Sequence, residues 1–199
     1  MYEVEQKFKL TAPERFLEKL AELGVAWTAD VHESDTYFQH PSRDFRVTDE
    51  ALRIRRRTVT VNDVQESECF ITFKGPKLSA ETKTRAEQEL PILIHTTEGW
   101  ETLLISLGFQ PLPPIRKRRQ KAWLVWQNFR VEISYDDVPP LGKWAELEIL
   151  VTEKSEFSAA EEGIRTLAER LELTQIERKS YLELSVASCR LSENPPSDN

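Results

Sequence analysis

With 199 residues and 39% apolar content, the chain is long enough to form one domain with its own core. A net charge of −7 excludes a nucleic-acid coat, which needs a basic face to neutralise phosphates. No apolar run approaches the length of a membrane span and charge begins at Glu3, so neither a transmembrane helix nor a secretory leader is expected, and the cytoplasm is the expected compartment. Cys69 and Cys189 lie far apart with no Cys-x-x-Cys spacing, and His32, His40 and His95 are scattered. Reduced thiols are expected, with neither a zinc site nor a Ser-His-Asp arrangement, so any chemistry must fall on carboxylates, lysines and arginines.

The chain opens on a strand, 2–9, in which Glu3, Glu5, Lys7 and Lys9 alternate with Tyr2, Val4 and Phe8. Residues 13–23 carry Phe16, Leu17, Leu20 and Leu23 at helical spacing, with Pro13 in the first turn and Gly24 just past the end. Strand-like runs follow at 26–39, 51–60, 67–74 and 83–91, with Asn62-Asp63 and Gly75-Pro76 as turn signals. A helix is predicted over 97–107 on Trp100, Leu103, Leu104 and Leu107, then strands at 114–126 and 129–135 around a Gln127-Asn128 turn, and a strand at 144–151. The periodicity of Phe157, Ala160, Ile164, Leu167 and Leu171 predicts a helix over 157–171, and a last short helix is expected around 180–190. The ending SENPPSDN has the composition of a disordered tail, giving a single domain over 1–191 and a tail over 192–199.

Strand after strand shows one charged and one apolar face. Arg53, Arg55 and Arg57 share a parity, as do Arg85, Glu87 and Glu89, then Lys117 and Arg119, and Glu146 and Glu148 opposite Leu147 and Ile149. If the apolar faces pointed inward, the amphipathic helices would have little apolar surface left to cover; pointing outward, those faces meet the helices and the charges line a tunnel. The expected fold is α+β, mainly antiparallel β: a closed eight-stranded β-tunnel with amphipathic helices packed on its outside. Unpaired charges are costly in a low-dielectric space, so such a lining implies a ligand. Its bases suit a polyphosphate, and its carboxylates suit Mg²⁺ or Mn²⁺, which take oxygen ligands. Arg56, Arg116 and Arg118 have the wrong parity and are expected in solvent. Arg57 has the right parity but falls towards the tunnel's end, Asp137 is expected in a turn, and the five tryptophans are assigned to the outer core.

The motif Glu3-x-Glu5-x-Lys7, followed by DTYFQHPSRDFRVTDEALRIRRR (35–57), TFKGP (72–76), TRAEQEL (84–90), IRKRRQKAW (115–123), DDVPPLGKWAELEI (136–149) and RKSYLEL (178–184), resembles the CYTH family, also called triphosphate tunnel metalloenzymes. The resemblance covers residues 2–184. It implies that Glu3, Glu5, Glu146 and Glu148 bind the divalent metal, and that Lys7, Arg53, Arg55, Lys74, Arg85, Lys117, Arg119 and Lys179 hold the triphosphate. By the same resemblance Glu87, Glu89 and Asp136 are acids available for a second metal or for ordering a nucleophilic water, Tyr37 lies near the reacting phosphate, and Lys179 belongs with the catalytic groups.

Catalysis of this kind is positioning plus charge stabilisation, so it needs no glycine-rich phosphate loop, and the sequence has none. Residues 35–55 resemble the microbial branch grouped with class IV adenylyl cyclases, and Ala51 stands before Leu52-Arg53 where animal thiamine triphosphatases place an aromatic side chain. The implied activity is conversion of ATP to cyclic AMP and pyrophosphate, with a triphosphatase or a non-catalytic nucleotide- or polyphosphate-binding module as alternatives. The expected partners are ATP or another triphosphate, with no nucleic acid and no membrane, and the chain is expected to be a monomer or homodimer. Like-charge crowding among the bases leads to a further expectation, that Arg53→Ala or Arg119→Ala stabilises the empty protein.

Overall fold

The alternation that opens the chain is realised in β1 (Tyr2–Lys9), and seven more long strands repeat it: β2 (Ala29–Gln39), β3 (Ala51–Val61), β4 (Val64–Lys77), β5 (Arg85–Ile92), β7 (Ile115–Trp126), β8 (Phe129–Val138) and β9 (Gly142–Val151). The computed structural model describes residues 2–77 and 85–193, excepting the side chains of Lys77 and of residues 189–193. The start of the predicted 83–91 strand, the Cys189 thiol and residues 194–199 of the expected tail therefore lie outside the described set, while residues 192 and 193 continue the last helix. All strand pairings are antiparallel and run β3-β4-β5-β1-β9-β8-β7-β2, with β2 pairing back to β3 to close the barrel. A two-residue strand, β6 (Gln110–Pro111), is added beside the end of β2.

The helices are α1 (Pro13–Glu22), α2 (Phe45–Thr48), α3 (Thr97–Ser106), α4 (Phe157–Arg170) and α5 (Tyr181–Glu193). The apolar strand faces do point outward. Val4 and Phe8 of β1, Val131 and Ile133 of β8, and Leu147 and Ile149 of β9 form one core with Phe16 and Leu20 of α1 and Ile164 and Leu167 of α4. Each such side chain contributes about 1.5–3 kcal/mol by leaving water, so this layer drives closure of the barrel. Leu104 of α3 joins Phe38 and Ile54 in a second cluster, and Tyr181 of α5 joins Trp144 and Val138 in a third.

Several local expectations are corrected. Gly75-Pro76 does not separate strands but lies within β4, where the pairing with β5 shifts between Lys74 and Lys77; proline lacks an N–H and is tolerated at such an irregularity. Asp137 is a residue of β8, in register with Arg118 and ion-paired to Lys143 at 2.6 Å. Arg56, Arg116 and Arg118 do lie outside the tunnel: Arg116 and Arg118 are exposed, and the Arg56 side chain, 42% exposed, also pairs with Glu101 of α3 at 2.8 Å. Trp27, Trp126 and Trp144 are packed in apolar clusters, but Trp100 and Trp123 are more than a third exposed. The short α2 had no periodicity to announce it; Asp44 caps it by accepting a hydrogen bond from the Arg46 N–H at 2.9 Å.

Candidate active site

Because the side-chain period of a strand is two and the barrel is closed, the inward positions of adjacent strands fall into rows. One row places Glu5 of β1 beside Glu148 of β9, and Glu148 beside Glu132 of β8. Another runs Tyr37, Arg53, Thr72 and Glu89 across β2, β3, β4 and β5. Lys7 lies beside Glu146, Arg119 beside Asp136, and Lys117 beside Glu33. The β1–β9–β8 wall thus carries a carboxylate row, and guanidinium groups gather on β3 and β7.

All of these side chains except Glu33 and Asp136, which lie behind the lining, border a cavity of about 950 Å³. Its lining includes Glu3, Glu5 and Lys7 from β1, Tyr37 from β2, Arg53 and Arg55 from β3, and Lys74 from β4. Arg85, Glu87 and Glu89 from β5, Lys117 and Arg119 from β7, and Glu146 and Glu148 from β9 complete the expected residues found there. Two expected residues are placed otherwise. Asp136 is fully buried in the barrel wall beneath Arg119. The Lys179 side chain is exposed and outside the lining, because the segment before α5 runs along β1 by backbone bonds and turns that side chain to solvent; only the Lys179 carbonyl takes part, accepting a hydrogen bond from Lys7 Nζ at 2.5 Å. Arg57 does reach the lining, paired with Glu68 at 2.6 Å and stacked 4.8 Å above the Phe70 ring.

Sequence reasoning missed Glu33, Asp35, Lys121, Glu132 and Tyr181. The first four were open to detection by parity, since Glu33 and Asp35 precede Tyr37 by even steps, Lys121 follows Arg119, and Glu132 precedes Asp136 on the same face. Tyr181 sits at the start of a helix, where strand parity is silent.

Buried acids hold the cations in place. Arg55 donates two parallel hydrogen bonds of 2.7 Å to Asp35, and its Nη1 lies 3.0 Å from Glu33. Lys117 Nζ is also 3.0 Å from Glu33. Burial pushes the Glu33 carboxyl up, but Arg55, Lys117, Arg119 and Arg53 together outweigh it and hold Glu33 well below the usual carboxylate range. Arg119 donates to both oxygens of Asp136 at 2.6 and 2.5 Å and also bonds Glu146; the Tyr181 hydroxyl donates to Asp136 at 2.8 Å. On the β4–β5 side Lys74 bridges Glu3 at 3.0 Å and Glu87 at 2.8 Å. Lys7 Nζ lies 4.0 Å above the Tyr181 ring, which fixes it by cation–π attraction.

Glu148 is the exception. Burial and the charges of Glu3, Glu132 and Glu5 push its carboxyl well above the usual range, against the opposing charge of Lys74. Among the described residues, no group of three or more His, Cys, Asp or Glu side chains is arranged to hold a metal ion as it stands. The donor chemistry nevertheless fits a hard divalent cation: carboxylate oxygens, adjacent in register, repel one another across Glu148, and a bound cation would relieve that repulsion.

A closed antiparallel β-tunnel with a charged interior and helices on its outside defines the class. The chain belongs to the CYTH family, whose domain profile matches residues 1–181. A Methanocaldococcus jannaschii protein named "Putative adenylate cyclase" is 36% identical over 186 residues, covering 92% of this chain and 98% of its own. An Aeromonas hydrophila protein named adenylate cyclase is 27% identical over 200 residues, covering 98% of this chain and 95% of its own. Among solved structures, a Pyrococcus horikoshii protein superposes with a TM-score of 0.82 at 37% identity, over 94% of this chain and 99% of its own. A Hippeastrum protein described as an adenylyl cyclase candidate with a dominant triphosphatase activity shares the fold at a TM-score of 0.60 and 14% identity, over 94% of this chain and 95% of its own. No described helix is long and apolar enough to cross a membrane.

Proposed function

We propose that this protein is a metal-dependent enzyme that binds a nucleoside triphosphate in its tunnel and converts ATP to cyclic AMP and pyrophosphate. The observation that carries the reading is the carboxylate row Glu5, Glu148 and Glu132 in a tunnel that also holds the arginines of β3 and β7. An anion binder has no use for such a row, whereas phosphoryl chemistry combines a divalent cation with basic groups on the same phosphates. Beyond the charged rows the cavity opens between the 38–52 segment and α5, where His40, Phe45, Leu52, Leu182 and Val186 border it. That mixed apolar mouth supports a nucleoside rather than a bare polyphosphate.

Glu3, Glu5, Glu146 and Glu148, joined by Glu132, would hold Mg²⁺ or Mn²⁺, which when bound supplies charge to the phosphate oxygens and the leaving group. Arg53, Arg55, Arg119, Lys7, Lys74, Lys117 and Arg85 hold the triphosphate, the arginines by their forked donors. In the reaction the ribose 3′-oxygen bonds to the α-phosphorus, the bond from that phosphorus to the α–β bridging oxygen breaks, and pyrophosphate leaves with the electron pair. The 3′-hydroxyl proton passes to a tunnel carboxylate. Glu89 suits this role better than Glu87, because Glu87 is held by Lys74 and Arg53 whereas Glu89 accepts only a Thr72 hydrogen bond among the described residues. Asp136 is a positioning residue that fixes Arg119.

The test is a product assay with Mn²⁺ or Mg²⁺ on ATP, 3′-deoxy-ATP and tripolyphosphate. Cyclic AMP and pyrophosphate in equal amounts from ATP, with no cyclic product from 3′-deoxy-ATP, is the expected result. Orthophosphate released equally from ATP and 3′-deoxy-ATP, without cyclic AMP, would establish the triphosphatase alternative. Tyr37→Phe separates the two further, since a hydroxyl beside the terminal phosphate matters more to water attack there than to ring closure at the α-phosphorus.

A further inference from the structure

Two neighbouring side chains at the tunnel mouth, Gln39 and His40, have their hydrogen-bonding ends fixed by the backbone. His40 Nδ1 lies 3.1 Å from the Arg43 nitrogen and 3.2 Å from the Ser42 nitrogen and accepts from both N–H groups. The ring proton therefore sits on Nε2, and among the described residues that donor has no partner. Gln39 Nε2 donates to the Arg43 carbonyl at 2.9 Å, which assigns the two ends of the amide and leaves Oε1 as an acceptor without a donor among the described residues. A histidine that only braced the turn would need Nδ1 alone. Here a donor and an acceptor are left over on adjacent residues, and both residues border the cavity.

The backbone that carries the pair is pinned. Gln39 ends β2, shares the parity of Asp35 and Tyr37, and is in register with Gln110 of β6. Pro41 packs against Gly108, where a Cβ would come within 3.2 Å of the proline ring. The His40 ring stands edge-on to Phe109 at 5.1 Å between centroids and is tilted against Phe45 at 5.6 Å. Turning the ring over would break both bonds to Nδ1, so the direction of the Nε2 donor is set before any ligand arrives. Phe45, Leu52, Leu182 and Val186 border the same end of the cavity and supply apolar walls for a planar ring.

We propose that Gln39 and His40 read the base of the nucleotide, Gln39 Oε1 accepting from the adenine N6 amino group and His40 Nε2 donating to the adjacent ring nitrogen, so that the mouth selects ATP over GTP. This inference rests on the nucleotide reading above and extends it to the base. Adenine presents its N6 amino donor beside an acceptor nitrogen, N7 or N1, on either exposed edge. Glutamine alone can meet such an edge with both ends of its amide, but here the Arg43 carbonyl occupies the amide N–H and His40 supplies the donor instead. Guanine carries O6 in place of the amino group, which would set one acceptor against another at Gln39 Oε1. Its N1–H and O6 fit the pair only with the base turned over, and a triphosphate held in the tunnel opposes that rotation. A mismatch of this kind leaves polar groups unpaired, which is how a hydrogen-bonding site rejects the wrong substrate.

Isothermal titration of the full chain with Mg²⁺ and the α,β-methylene analogues of ATP and GTP, which cannot cyclise, tests it beside tripolyphosphate. The wild-type protein is expected to bind the adenine analogue about tenfold or more tightly than the guanine analogue. His40→Asn keeps an acceptor where Nδ1 stands and removes the Nε2 donor. It should bring the two affinities to within a factor of about three by weakening the adenine analogue, and leave tripolyphosphate affinity within a factor of about two. Gln39→Arg replaces the acceptor by a donor and should reverse the preference, since two donors suit guanine O6 and N7. Equal wild-type affinity for the two analogues, or a His40→Asn protein that keeps the full preference, overturns the proposal. Should His40→Asn lose tripolyphosphate affinity through misfolding, Gln39→Arg decides, and an unreversed preference overturns it. Failure of the underlying reading looks different: an adenine analogue bound no more tightly than tripolyphosphate, with only orthophosphate released from ATP, removes the cyclase and this inference together.

Discussion

Glu148 lies directly across the β8–β9 ladder from Glu132, two inward carboxylates side by side with Glu5 on the opposite neighbouring strand. Their repulsion, added to burial, raises the proton affinity of Glu148 well above the ordinary carboxylate value. A group whose pKa is raised on folding contributes stability that is complete below its unfolded value of about 4.3 and is lost as pH rises through the folded value. The metal-free protein should therefore carry a destabilising contribution from this site at neutral pH. Glu148→Gln should raise the metal-free melting temperature while lowering turnover about 100-fold or more, because the amide removes the repulsion together with the ligand charge. Differential scanning calorimetry in chelator, with and without added Mg²⁺ and tripolyphosphate, checks both halves. A variant that melts lower than wild type and keeps its activity would remove Glu148 from the ligand set.

On the β2–β3 side the sign is reversed. Glu33 and Asp35 titrate below their usual ranges because Arg55 and the neighbouring cations outweigh burial. Their contribution is fully present above the unfolded values near 4, and it is lost as pH falls through the depressed folded values. Acid unfolding should set in below about pH 4, and Asp35→Asn should shift its onset upward. The substitution leaves Arg55 buried without its bidentate partner, so a loss of about 3–5 kcal/mol is expected in urea titrations at neutral pH. Saturating tripolyphosphate should recover part of it by giving the guanidinium another anion.

Much of this architecture was readable because closure converts strand parity into location. The eight long strands and the four helices of ten or more residues each correspond to a periodic run, and the outward apolar faces of Val4, Leu147 and Ile149 follow from the need to place the helices somewhere. Parity fails where geometry is not periodic. Lys179 precedes a helix on an irregular segment, so its place in a motif did not determine where its side chain points. Asp136 has tunnel parity, yet Arg119 and Tyr181 close over it, and only the side-chain packing reveals that. The partners of the arginines were also hidden, since cross-strand register is a tertiary fact. Arg55 meets Asp35 only because β2 and β3 pair at that offset.

That register changes what an arginine deletion should do. Counting bases alone leads to the expectation that Arg119→Ala relieves crowding and stabilises the empty protein. Instead Arg119 neutralises Asp136, which is wholly buried, and it also contacts Glu146. Removing it leaves that buried carboxylate only the Tyr181 hydroxyl and the more distant Lys117 Nζ at 3.7 Å, so Arg119→Ala should cost about 3 kcal/mol. Arg119→Lys keeps the charge but loses the fork and should fall between the two. The same logic applies to Arg53, which lies 3.5 Å from Asp35 and 3.9 Å from Glu87. Chemical denaturation of Arg119→Ala beside the Arg119→Ala/Asp136→Asn double variant decides the point. If the second substitution recovers most of the loss, the stranded charge is the cause; if the single variant is more stable than wild type, crowding dominates.

Tyr181 separates two functions in one side chain. Its hydroxyl donates to Asp136 at 2.8 Å, and its ring lies 4.0 Å beneath Lys7 Nζ. Burial and the nearby Asp136 and Glu146 charges push the phenol well above its ordinary value, so the donor persists far into alkaline solution. Tyr181→Phe removes the hydrogen bond and keeps the ring. It should cost about 1–3 kcal/mol in stability and leave tripolyphosphate affinity within a factor of about two, because Lys7 keeps its platform. Tyr181→Ala removes both and lets Lys7 move, so affinity should fall by about tenfold or more in addition to the stability loss. Isothermal titration with tripolyphosphate, alongside urea unfolding of both variants, reads the two effects separately. Equal loss of affinity in the phenylalanine and alanine variants would mean that the hydroxyl, acting through Asp136 and Arg119, holds the phosphate site in place and that the ring beneath Lys7 does not.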